Sequence, residues 1–151
     1  MFLGLSAYNH ESAVALVNST GELIDYCKEE SISRIKGDKS FPARCIEKIF
    51  KDNDIGSRDI KKFIFYERPL SAFLYPLKVA SKNLPESIPL MTNQFRNFKK
   101  SSLTCFMDLA KLYPGSEKKL VYSDHHLSHT LTCLAYSDIS NDVCSIVVDG
   151  F

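Results

Sequence analysis

Apolar residues recur at every second position through the first part of the chain. Phe2 to Ala7 reads as a buried strand, Tyr8 to Ser12 as a turn, and Ala13 to Val17 as a second strand. Asn18-Ser19-Thr20-Gly21 is strong turn chemistry, and Leu23 to Lys28 resumes the strand pattern. Three strands joined by short turns predict an antiparallel meander. Glu29 to Phe41 is polar and reads as a loop, after which Ser40 and Pro42 mark a helix start. Ile46, Ile49 and Phe50 form the apolar stripe of that helix through Asn53. Lys62 to Tyr66 is a fourth strand. From Pro69 to Gly115, helical stripes broken by Pro76, Pro85, Pro89 and Pro114 predict two or three helices with irregular joints. Phe95, Phe98, Phe106 and Tyr113 space there like a helix core. Lys119 to Ser123 is predicted as the fifth strand, His125 to Tyr136 as a helix, and Val143 to Asp149 as a sixth strand.

The predicted order is βββ-α-β-α(α)-β-α-β. A meander followed by alternating helices and parallel strands is the α/β layout of a ribonuclease-H-like domain. In such a sheet the site lies at the strand ends. That topology would bring the His10 turn, the start of the His125 helix and Asp149 to one edge.

The 151 residues predict one domain with a real core. A formal net charge of +1 makes no overall case for nucleic acid. The charge is uneven: residues 70–119 hold eight Lys/Arg and three Asp/Glu, a local +5 that leaves −4 elsewhere. A solvated helical face explains this stretch more simply than a phosphate or anionic partner does. Five cysteines without a CxxC pair suit a reducing compartment, and neither a signal peptide nor a membrane-length apolar run is present. A cytoplasmic protein is expected.

The strongest chemical signal is Ser123-Asp124-His125-His126-Leu127-Ser128-His129, which holds three of the four histidines. Positions four apart share a helix face, so His125 and His129 can address one ion together. Asp149 offers an anionic third ligand. Imidazole and carboxylate donors suit Fe(II), Zn(II) or Mn(II) and do not choose among them. His126 cannot share its neighbour's face and suits a hydrogen-bonding role. His10 lies in a strand–strand turn, where exposed histidines are common and usually idle. Lys36, in a polar loop, serves equally as a solvated charge or a phosphate contact, and Gly150 would let a phosphate approach the backbone. Ser6 and Ser12 are weaker candidates for phosphate contacts in the first turn.

Several blocks occur in order: Gly4 to Ala13, the Glu29-Glu30 pair, Lys36 to Pro42, Phe65-Tyr66-Glu67-Arg68-Pro69, His125-His126-Leu127-Ser128-His129 and Val148-Asp149-Gly150. Together they resemble the N-terminal part of the antibiotic and nodulation-factor carbamoyltransferases, relatives of the protein that forms threonylcarbamoyladenosine in tRNA. The resemblance covers essentially the whole chain. It implies one lobe of an actin-like, two-lobed ATPase fold that binds nucleotide and metal between its lobes. It also implies transfer of a carbamoyl group from carbamoyl phosphate, through a carbamoyl-adenylate made from ATP in a second domain, to an acceptor hydroxyl. By that resemblance His125, His129 and Asp149 match metal ligands, with Fe(II) favoured, and His10 matches a histidine that takes the acceptor's proton. Lys36 matches a lysine near the carbamoyl-adenylate. The sequence departs from the pattern at Gly37, where a His is usual, and at Ser31, where an Arg is usual.

Residues 1–151 are therefore expected to be the N-terminal lobe of a longer enzyme, cut at its C-terminus and inactive alone. Its partners would be a small hydroxyl-bearing acceptor and the missing lobe and second domain, with self-association through the exposed face and neither nucleic acid nor membrane. Two alternatives are a non-catalytic lobe that binds nucleotide or a partner, and a small metal-dependent hydrolase using Glu11 as base.

Overall fold

The computed structural model describes residues 1–96, 102–135 and 142–148. Alternation of buried and half-buried positions builds β1 (Phe2–Ser6) and β2 (Ala13–Val17), which pair antiparallel with Leu3 opposite Leu16. β3 (Leu23–Lys28) pairs antiparallel with β2, with a register irregularity at Leu16/Val17. β4 (Lys62–Phe65) lies parallel to β1, and β5 (Leu120–Tyr122) parallel to β4. The sheet order is β3-β2-β1-β4-β5. The predicted meander and the alternating parallel strands both form.

One face of this sheet carries the core. Leu3, Leu5, Val14, Leu16, Phe63 and Phe65 are buried against α2 (Ala43–Asp52) and α5 (Cys105–Leu112). Helix α2 presents Cys45, Ile46, Ile49 and Phe50, a stripe spaced at three and four residues. The opposite face is lined by small side chains, Gly4, Ser6, Ala13 and Ala15. With Leu131 and Ala135 of α6 (His125–Ala135) it bounds an open groove of about 840 Å³. Helices α3 (Pro69–Ser81) and α4 (Ile88–Arg96) pack on one another, with Phe73 edge-on to Phe95 at 5.9 Å.

Four expectations need correction or qualification. Glu29–Ser33 is a short helix, α1, at the start of the expected loop. Phe95 and Phe106, read as helix core, are 58% and 49% exposed: α4, which carries Phe95, packs on α3, and Phe106 of α5 lines an open pocket with Leu120 and Tyr122 of β5. Phe98 lies outside the described residues. Residues 142–148 form no strand: Ser145 meets Thr130 of α6 through its hydroxyl at 3.0 Å, and no strand edge pairs with the segment. An extended segment needs a neighbour for its backbone groups, and without one Ile146 and Val148 stay 86% and 91% exposed. Among the described residues, no helix is long and apolar enough to cross a membrane.

Helix α2 begins at Pro42, which offers no side-chain cap. The carboxylate of Glu29, only 3% exposed, replaces one by accepting the Arg44 and Cys45 amides at 3.4 and 3.0 Å. Glu29→Ala leaves these amides unpaired beside the core. It should cost about 1–3 kcal/mol of unfolding free energy, read by urea denaturation, and an unchanged midpoint would contradict this role.

Candidate metal centre

Helix α6 starts where the sequence places a capping aspartate. Asp124 Oδ1 accepts the Leu127 amide at 3.3 Å, and Asp124 O accepts the Ser128 amide at 2.9 Å. The helix is docked on the end of β4: Ser123 N donates to Phe65 O at 2.8 Å, and Ser128 Oγ donates to Tyr66 O at 2.9 Å. His125 and His129 then share a face, with their Nε2 atoms 3.2 Å apart and their rings nearly perpendicular.

That separation can be tested against metal geometry. Two imidazole nitrogens about 2.0–2.1 Å from one ion, at tetrahedral or octahedral angles, lie about 2.8–3.4 Å apart. That separation admits one divalent ion, and it is equally a hydrogen-bond distance between two ring nitrogens. Among the described residues no group of three His, Cys, Asp or Glu is arranged so that it could hold a metal ion. Asp149, the expected carboxylate ligand, and Gly150 lie outside the described residues. The His126 ring is 5.8 Å from that of His125 and the residue is exposed, which places it beside the pair.

His10 joins the pair from the β1–β2 turn. Its ring stacks nearly parallel to that of His125, with centroids 6.1 Å apart, and lies edge-on to Tyr66 at 5.6 Å. Tyr66 is itself 5.7 Å from His125. The turn holding His10 is tightly anchored. Tyr8 adopts a left-handed backbone (φ 73°), unusual for a bulky side chain, and its hydroxyl donates to Asp108 Oδ2 at 2.6 Å. Burial and that hydrogen bond push the Tyr8 hydroxyl's pKa well above its ordinary value. Asn9 Nδ2 donates to Glu67 Oε1 at 2.9 Å.

The loop carrying Lys36 packs against the same turn. Tyr8 N donates to Lys39 O and Ser12 N to Asp38 O, both at 2.8 Å, and Ser12 Oγ donates to Ser40 O. Ser12 is therefore a structural anchor, and Ser6 Oγ donates to Glu11 O. Asp38 accepts both the amide and hydroxyl of Ser40, which hold its carboxyl below the usual range. Gly37 has φ +65° and donates its amide to Glu30 Oε2 at 2.9 Å. At that φ a histidine would be strained, and glycine adopts it without cost. Lys36 is exposed on this loop.

His10, His125 and His129 thus converge, and Lys36 stands on an adjoining loop. Tyr66 and Glu67 also belong to the site, although their sequence block carried no assigned role. An acid directly after an apolar strand was the available signal for Glu67, which is 5% exposed.

A mixed α/β domain with a histidine pair at its strand ends defines the class of the molecule. The carbamoyltransferase N-terminus family matches residues 1–150, and the chain belongs to that family. It is also similar to an uncharacterized protein of Synechocystis sp., 29% identical over 155 residues that cover 98% of this chain and 25% of that protein. The chain thus spans about a quarter of that relative's length.

Proposed function

We propose that the chain is the ribonuclease-H-like N-terminal lobe, of actin-like ATPase type, of an ATP- and metal-dependent O-carbamoyltransferase. The observation that carries the metal part is the 3.2 Å approach of His125 Nε2 and His129 Nε2, with the His10 ring 6.1 Å from that of His125. Membership of the carbamoyltransferase family supports the transferred group. His125 and His129 would hold a divalent ion, Fe(II) by preference, with Asp149 completing the set. A bound ion would supply Lewis acidity and offset charge on the nucleotide phosphate. His10 would accept a proton from the acceptor hydroxyl. The acceptor oxygen bonds the carbamoyl carbon of carbamoyl-adenylate, the carbon–oxygen bond to AMP breaks, and the hydroxyl proton passes to His10. Lys36 and the backbone at Gly150 would face the phosphate of the adenylate.

Titration of the chain with Co(II), followed by its visible absorption, tests the metal assignment. Saturable binding of one ion, displaced by Zn(II), is the expected result. Linear, unsaturated uptake would overturn it.

A further inference from the structure

The three histidines are carried by segments far apart in sequence, yet one tripeptide touches both. Phe65 and Tyr66, at the end of β4, accept hydrogen bonds from Ser123 N and Ser128 Oγ and so set the position of the α6 histidines. The next residue, Glu67, turns its side chain the other way and accepts Asn9 Nδ2 at 2.9 Å, one residue before His10. Tyr66, between these anchors, lays its ring against both His10 and His125.

The two partners have unequal needs. Asn9 is exposed and has water available, whereas Glu67 is 5% exposed. A buried carboxylate requires hydrogen bonds to offset its lost hydration, so Glu67 is the member that pulls the turn to one place. On the other side, the Tyr8 hydroxyl bond to Asp108 restrains the preceding residue. A turn gripped at Tyr8 and Asn9 leaves His10 little freedom to swing away from the pair.

We propose that Glu67 is a positioning residue: by accepting the Asn9 amide it fixes the β1–β2 turn so that His10 faces Tyr66 and His125. This rests on the reading of His10 as the proton acceptor, and it identifies what aims it. Misplacement of a reacting group by about 1 Å can cost on the order of 100-fold in rate, which is why such a device would matter.

The test is proton NMR of the 151-residue chain without metal, so its outcome is independent of the Co(II) titration. Nuclear Overhauser cross-peaks are expected from the His10 ring to the rings of Tyr66 and His125, and between Tyr66 and His125. Glu67→Ala should weaken both His10 cross-peaks several-fold and preserve the Tyr66–His125 one. Glu67→Gln, whose amide oxygen still accepts from Asn9, should retain all three. If Glu67→Ala fails to fold, Asn9→Ala removes the same bond at an exposed position and decides the matter. Wild-type His10 cross-peaks that are absent, or that persist at full strength in Asn9→Ala, overturn the proposal. So does Glu67→Gln behaving like Glu67→Ala in a folded chain.

Discussion

His125→Ala and His129→Ala are each expected to lower the chain's affinity for Co(II) by more than about 100-fold, since loss of an outer-shell partner alone costs about 10–100-fold. The reason is geometric. Helical spacing holds the two Nε2 atoms 3.2 Å apart before any ion arrives, so the second imidazole binds with little further ordering. Removing either one leaves a single nitrogen donor that competes poorly with water. His126→Ala, exposed beside the pair, should leave the affinity unchanged. His126→Ala and His129→Ala should melt close to wild type, because both residues are exposed and surface substitutions usually stay within about 0.5 kcal/mol. Ligation needs neutral imidazole, so binding should weaken as the solution is acidified. Wild-type affinity in either His125→Ala or His129→Ala would place the ion elsewhere.

Alkaline unfolding is the second large effect. Burial, assisted by the charge of Asp108, pushes the Cys105 thiol from an ordinary value of 9.0 up to about 12. Burial likewise raises Cys45, Tyr8, Tyr113 and Tyr122. For an acid whose folded pKa is raised, the unfolded chain loses its proton first as pH climbs. Above the unfolded value the native state binds more protons than the unfolded state, and stability falls with pH. The contribution is fully present below pH 9 for the thiols and below pH 10 for the tyrosines, and it is lost as pH rises through the folded values. Cys105 alone spans about three pH units, or about 4 kcal/mol by pH 12, against a typical domain stability of about 5–15 kcal/mol. Urea unfolding by circular dichroism from about pH 8 to about pH 11 should show a steep decline, shallower in Cys105→Ala. A flat profile would mean that these groups are not buried as described.

Much of this architecture is legible along the chain because its causes are local. The alternation in Phe2–Ser6 and Ala13–Val17 specifies strands with one buried face, and the spacing of Ile46, Ile49 and Phe50 specifies the buried face of α2. The four-residue interval between His125 and His129 specifies a shared helix face, given only that the segment is helical. The run at 143–148 misleads for the opposite reason. Apolar β-prone residues state a preference, and a strand also needs an unpaired edge, which nothing in the run encodes. Phe95 and Phe106 mislead similarly, since periodicity marks an apolar stripe without saying what covers it.

By itself, then, the sequence determined most of the elements, the histidine pair on one helical turn, and membership of the carbamoyltransferase family. Tertiary structure alone decided that His10 lies beside His125, that Glu67 is buried with Asn9 as its donor, and that Glu29 caps a helix beginning fourteen residues later, at Ala43. Backbone preferences and side-chain periods act over a few residues and can be read in order. Burial of a carboxylate and the approach of two rings depend on which strands become neighbours, here β1 beside β4, and that is a property of the packed sheet.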